Sequence, residues 1–182
     1  MLGGPFDFTP GVLSLKGRGG QPIAATIAKE LAQYVILYSP IQMAADLPET
    51  YARYPAAFAF IRQVPVDWQE SRALMGDIGE YAVIARKDRS SADWYLGATG
   101  GATAHDLVVP LDFLERGRRY FAQIYRDGPH ADWRIAPYDT VIETRMLTRA
   151  DMLSIHLAVG GGAAIRFVAD WHARDLMSPK SL

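Results

Sequence analysis

The chain has 182 residues, 49% hydrophobic, 21% charged and 11% aromatic, and its 19 Lys+Arg against 20 Asp+Glu leave a formal net charge of −1. That length predicts one domain, or one domain with an appendage, able to bury a core without covalent staples. Balanced charge argues against a dedicated nucleic-acid binder, which carries a basic excess. The lack of cysteine excludes disulfides, thiolate zinc sites and cysteine nucleophiles, and no apolar run approaches the ~20 residues of a spanning helix, so no membrane partner is expected.

Residues 1–22 are rich in Gly and Pro. Gly3-Gly4-Pro5-Phe6-Asp7-Phe8-Thr9-Pro10-Gly11 reads as a loop with a short extended centre, because each Pro disfavours helix just before it. The opening Met1-Leu2-Gly3-Gly4-Pro5 lacks the basic and apolar segments of a signal peptide. Gly17-Arg18-Gly19-Gly20 is a connector without the Lys-Ser/Thr ending of a phosphate loop. From Pro22, the spacing of Ile23, Ile27, Leu31, Tyr34, Val35 and Tyr38 predicts a helix over 23–38, with Lys29, Glu30 and Gln33 mostly off its apolar face. A second helical stretch follows Pro48 through Tyr51, Tyr54, Phe58 and Ile61, kinked or divided at Pro55.

After Pro65 the period becomes two. Strands are predicted over 67–74, 80–86, 94–98, 106–110, 120–126, 141–147, 152–158 and 162–167. Turn signals separate them at Gly76-Asp77, Asp88–Ser91, Gly100-Gly101, Glu115–Gly117, Asp127-Gly128-Pro129 and Val159-Gly160-Gly161. The fold class is therefore mainly β, an antiparallel sandwich of about eight strands preceded by one or two helices. Tyr81–Ala85 reads as a central strand covered on both faces, Gly160-Gly161-Gly162 as a hairpin turn, and 170–182 as a tail, helical or disordered.

The residues assemble no complete active site. His105, His130, His156 and His172 stand far apart, with no spacing that places two imidazoles on one metal. Asp67, Glu70, Asp77 and Glu80 crowd the first hairpin, where charge more often guards a strand rim than performs catalysis. Asp7, set between two aromatics in a Gly/Pro-framed loop, is a turn cap or a ligand-facing carboxylate. Trp68, Trp94, Tyr95, Trp133 and Tyr138 are core residues or, if exposed, sugar-stacking surfaces.

Eight phrases in order resemble the C-terminal portion of family 97 glycoside hydrolases. They include Gly4–Gly11, Tyr38-Ser39-Pro40-Ile41-Gln42-Met43-Ala44-Ala45-Asp46, Val64-Pro65-Val66-Asp67-Trp68-Gln69-Glu70 and Gly79-Glu80-Tyr81. Ile84-Ala85-Arg86-Lys87, Asp93-Trp94-Tyr95-Leu96-Gly97, Tyr125-Arg126-Asp127-Gly128 and Leu157-Ala158-Val159-Gly160-Gly161-Gly162 continue the series. The resemblance implies an α-glucosidase or α-galactosidase lineage that is calcium-dependent and periplasmic in its complete members. It also implies a (β/α)8 barrel followed by an oligomerisation β-sandwich. Residues 1–64 then correspond to the terminal loop and helices of a barrel, 65–169 to the sandwich and 170–182 to the tail.

A whole barrel needs about 250 residues, and the family's catalytic carboxylates and calcium ligands lie on earlier strands. No catalytic, cofactor or metal residue carries over, and calcium has no site here. Asp7 alone falls beside the substrate cleft. The expected role is an oligomerisation or interaction module, partnered by itself or by a barrel-containing chain. A carbohydrate-binding module using Trp68, Trp94 or Trp133, and one half of a split α-glycosidase, are the alternatives. The start at Met1, where the barrel-edge loop begins, is what a truncated or split gene would give. Without a barrel beneath it, the Ile23–Val35 stripe is expected to pack on the sandwich, pair with another chain or stay exposed, and so to drive association through residues 1–50.

Overall fold

The computed structural model describes residues 6–169; the tail expected over 170–182 lies outside the described residues. Helix α1 (Ile27–Ile36) is shorter than its predicted span. Thr26 sets its start, its Oγ1 accepting the Lys29 N–H at 3.2 Å. Ile23 keeps the periodic spacing but donates its N–H to the Leu15 carbonyl, and Pro22 bridges to Lys16, which holds 22–25 outside the helix. Pro55 divides the next stretch into α2 (Pro48–Arg53) and α3 (Pro55–Gln63). Each proline sits in a first turn, where its missing N–H costs no helical bond.

All eight strands form where alternation places them. They are β1 (Trp68–Asp77), β2 (Tyr81–Asp88), β3 (Trp94–Gly100), β4 (His105–Pro110), β5 (Arg119–Asp127), β6 (Thr140–Thr148), β7 (Met152–Leu157) and β8 (Gly162–Val168). Gly76-Asp77, expected as a break, stays inside β1, because the turn falls at 78–80 around Gly79 with φ of 86°.

The strands divide unequally. A six-stranded antiparallel sheet runs in the order β1-β2-β3-β8-β5-β6, and β4 and β7 form a separate antiparallel ribbon. Residues 159–161 therefore do not close a hairpin between partners. They carry the chain from the ribbon to the middle of the large sheet, where β8 lies between β3 and β5. β2 lies one strand in from the edge, so Val83 and Ala85 are buried while Ala82 and Ile84 are half-buried.

Each face of the large sheet has its own core. On one, Leu107, Val109, Leu153 and Ile155 of the ribbon pack against Val83, Leu96, Ile124, Ile165 and Phe167. On the other, Ile27, Leu31 and Val35 of α1 and Phe60 of α3 pack against Tyr95, Tyr125 and Ala164. Burying each such side chain contributes roughly 1.5–3 kcal/mol. The close approach of α1 depends on Gly97, where a Cβ would lie 2.8 Å from the Ala32 carbonyl oxygen. The α1 stripe thus packs on the sandwich, the first of the three placements expected for it, and leaves any association through residues 1–50 to other side chains of that segment.

Candidate functional site

The seam between the N-terminal segment and the sheet is built from buried charge. Asp127, at the end of β5 and fully buried, accepts the Thr26 hydroxyl on Oδ1 at 2.6 Å. Its Oδ2 accepts the N–H groups of Ala158 and Gly162 at 2.9 and 2.8 Å. One carboxylate therefore fixes the start of α1 and both ends of the inter-sheet turn. Burial pushes its pKa above the ordinary aspartate value, and the three hydrogen bonds recover only part of the shift. A Cβ at Gly161 would meet Oδ2 at 1.9 Å, so the turn admits only glycine there.

Glu30, read as lying mostly off the apolar face, is 4% exposed. Its Oε2 accepts the Gly11 and Val12 N–H groups at 3.1 and 3.0 Å, and its Oε1 accepts the Gln33 amide at 3.0 Å. Burial raises its pKa against those bonds. Arg86 closes the far end of α1, donating from Nε to the Val35 carbonyl at 2.5 Å and from Nη2 to the Ile36 carbonyl at 3.1 Å. A cation there meets the negative end of the helix dipole. On β8, Arg166 donates twice to Asp93, at 3.1 and 2.8 Å, and once to Gln63. No local pattern marks these groups, since Asp127 is 101 residues from Thr26 and Glu30 is 18 and 19 from the backbone it holds.

The candidates named from sequence do not converge. Asp7 is exposed, next to a parallel bridge between Phe8 and Gln42. His105 Nε2 meets Glu80 at 3.1 Å, and His156 Nδ1 meets Asp106 at 2.7 Å. In the ribbon register His105 pairs with Leu157 and Asp106 with His156, so the imidazoles fall on opposite faces. His130 offers only its exposed backbone N–H, to Asp139, and His172 lies outside the described residues. The Thr103 hydroxyl, then His105, hold Glu80 below the usual carboxylate range. Asp67 pairs with Arg89 and Glu70 with Arg72, while Asp77 is exposed, so these carboxylates form a solvated rim.

Stacking surfaces fail for a different reason. Trp68, Trp94 and Tyr95 are buried, the last donating its hydroxyl to the Gln63 carbonyl. Arg134 covers the Trp133 ring at 4.6 Å, and Gly160 backs it so closely that a Cβ would sit 2.5 Å away. Tyr138 stacks on Tyr54 and donates to the Ser14 carbonyl. Among the described residues, no group of three or more His, Cys, Asp or Glu is placed to hold a metal ion. A groove of about 730 Å³ runs beside the β1–β2 hairpin between Lys29, Met75, Tyr81 and Thr99. Lys29 is committed there to the Gly100 carbonyl.

Phe6, Ile41 and Met43, next in the chain to the Phe8–Gln42 bridge, are exposed, as are Ile142 and Met146 on β6 and Ile78, Val108, Ile135 and Met152 elsewhere. Such large apolar groups mark interaction surfaces when they cluster.

Comparison with known proteins gives the same picture. Residues 67–168 match the family described as glycosyl-hydrolase 97 C-terminal, oligomerisation. A retaining alpha-galactosidase of Bacteroides thetaiotaomicron is 35% identical over 172 residues, covering 91% of this chain and 25% of that relative. A probable retaining alpha-galactosidase of Streptomyces bingchenggensis is 37% identical over 161 residues, covering 88% and 23%. A glycoside hydrolase family 97 enzyme of a Pseudoalteromonas species, solved with acarbose, superposes with a TM-score of 0.89 at 49% identity, over 94% of this chain and 27% of that one. A beta-arabinopyranosidase shares the fold, at a TM-score of 0.73 and 24% identity. The chain thus spans about a quarter of these relatives. It belongs to glycosyl-hydrolase family 97, as the C-terminal oligomerisation domain with the segment that leads into it.

Proposed function

We propose that this chain serves an α-glycosidase as its association module, holding copies of the enzyme together without performing the chemistry. The match of residues 67–168 to a domain described as oligomerisation carries the reading. The buried carboxylates support it. Asp127, Glu30 and Asp93 spend their oxygens on backbone N–H groups and neighbouring side chains, which leaves them no place in acid–base work on a sugar. The substrate class of the enzyme served is α-glycosides, as the names of the α-galactosidase relatives and the acarbose complex indicate.

The experiment pairs light scattering with assays on nitrophenyl α-galactoside and α-glucoside in the presence of calcium. The expected result is a stable oligomer with no turnover. Enzyme-like turnover by the purified chain, or a monomer at every concentration, overturns the reading.

One observation favours a second role for the N-terminal face. The Phe8–Gln42 bridge is parallel, and the side chains next to it in the chain, Phe6, Ile41 and Met43, are apolar and exposed. We propose that this face seats against the rest of a (β/α)8 barrel, on the same chain or another, with Asp7 at the border of its cleft. Mixing with a barrel-bearing chain of the family should restore hydrolysis, and Ile41→Asp with Met43→Asp should abolish that gain. A barrel chain equally active without this one counts against it.

A further inference from the structure

The two outer strands of the large sheet are built differently. β1 carries two register shifts against β2, between Trp68 and Glu70 and between Ala73 and Met75. Bulges of this kind twist an edge out of register and protect it from pairing with another strand. β6 carries none. Its nine residues pair with β5 in one unbroken register, from Thr148 opposite Arg119 to Thr140 opposite Asp127. It contains no Pro, Gly or Lys, the residues that usually blunt an open edge.

The order of residues along that edge is its own chemical mirror. β6 reads Thr140, Val141, Ile142, Glu143, Thr144, Arg145, Met146, Leu147, Thr148. About Thr144, Glu143 mirrors Arg145, Ile142 mirrors Met146, Val141 mirrors Leu147, and Thr140 mirrors Thr148. An antiparallel pair of identical strands related by a two-fold axis brings residue i opposite j and j opposite i. Centred on Thr144, that register sets each Glu143 against Arg145 of the second copy, and each Ile142 against Met146 of the second copy.

The side chains are placed for this. Ile142 is 50% and Met146 48% exposed on one face of the strand. On the other, Glu143 already takes Arg145 Nη2 at 2.8 Å and Arg126 Nε at 2.9 Å, so a second arginine extends an existing row of alternating charge. Cross-strand pairs of opposite charge and of apolar groups are the unit of sheet stabilisation. A foreign strand has no reason to match a mirrored order; a second copy matches it by symmetry.

We infer that β6 is the self-association edge of this domain, joining two copies antiparallel about Thr144 into one continuous twelve-stranded sheet. The inference rests on the association reading above and names its surface. The backbone N–H and C=O groups along the outer edge of β6 supply the ladder. The Glu143–Arg145 pairs fix the register, because the neighbouring two-fold registers that keep the faces matched, centred on Glu143 or on Arg145, set like charges directly opposite each other.

The test combines mass in solution with one crosslink. Wild type should have twice the 20.1 kDa chain mass. Glu143→Arg sets arginines against each other at both mirrored positions and should halve the mass, as should Arg145→Glu. Mixing the two variants should restore the dimer, since each supplies the charge the other lacks. The chain has no cysteine, so Thr144→Cys should give a single disulfide-linked dimer under mild oxidation, and Ala73→Cys on β1 should not. The crosslink keeps the proposal testable if a charge variant folds poorly. A dimer that persists in both charge variants, or a wild-type dimer that Thr144→Cys leaves uncrosslinked, overturns this surface and leaves the association reading standing. A monomeric wild type overturns both.

Discussion

The two faces of the large sheet are covered by opposite means. On the ribbon side the contact is almost wholly apolar, with Leu96, Phe113, Ile165 and Phe167 at 0–2% exposure. On the helical side, an apolar stripe is bounded by the buried Asp127, Glu30, Arg86 and Asp93 and the half-buried Arg166, bonded to backbone or to neighbouring side chains. Apolar packing sets how strongly layers adhere but tolerates small shifts between them. Carboxylates and guanidinium groups bonded to named backbone atoms admit one placement and are expensive when displaced. The ribbon is therefore fastened by area, and the N-terminal segment is fastened by position.

Truncating the ribbon core should have the largest effect of any single lost packing contact. Phe167 is fully buried and meets Phe113 edge-on at 5.6 Å. Phe167→Ala should cost about 3–5 kcal/mol of unfolding free energy by denaturant titration. A cost under ~1 kcal/mol would mean that this face collapses around the void and is not close-packed.

Asp127→Ala probes the other face. It leaves the Ala158 and Gly162 N–H groups buried without an acceptor, at about 1–3 kcal/mol for each group so stranded. Unlike the phenylalanine, it should also loosen position. Amide exchange should accelerate at the start of α1 and in the 158–162 turn together, although they are far apart in sequence. Faster exchange at only one of the two would show that Asp127 does not couple them.

That contrast governs what could be read in advance. The strands were legible because period-two alternation and turn residues are local signals, and Pro55 announced its break for the same reason. The start of α1 was not. Ile23 keeps helical spacing, and only the Leu15 carbonyl, which takes its N–H, shows that 22–25 belongs to the loop. The turn at 159–161 carries hairpin chemistry, yet it crosses between sheets, held at both ends by Asp127, 31 residues from Ala158. In the sequence Asp127 is only a turn marker before Gly128-Pro129. The mirrored order of β6 stands in plain letters, but it acquires meaning only once the topology makes β6 an outer strand.

The smallest effect concerns charge alone. Asp127 is fully buried, and burial raises its pKa in the folded state above the ordinary value of 3.8. Folding therefore favours the protonated carboxyl, and its contribution is fully present below 3.8 and lost as pH rises through the folded pKa. Glu30, also raised by burial, acts in the same direction, whereas Glu143, held low by Arg126 and Arg145 against its own desolvation, acts in the opposite one. Total stability against pH mixes these slopes. Asp127→Asn removes one titration and keeps the shape, its amide oxygen accepting from Ala158 and Gly162 and its amide N–H donating to the Thr26 hydroxyl. The difference in denaturation midpoint between wild type and this variant then isolates Asp127. Wild type should lose ground to the variant as pH climbs from about 4 and hold a constant gap above the folded pKa. If wild type gains on the variant over that range, the three hydrogen bonds outweigh burial, and the seam is stabilised by the charge it carries.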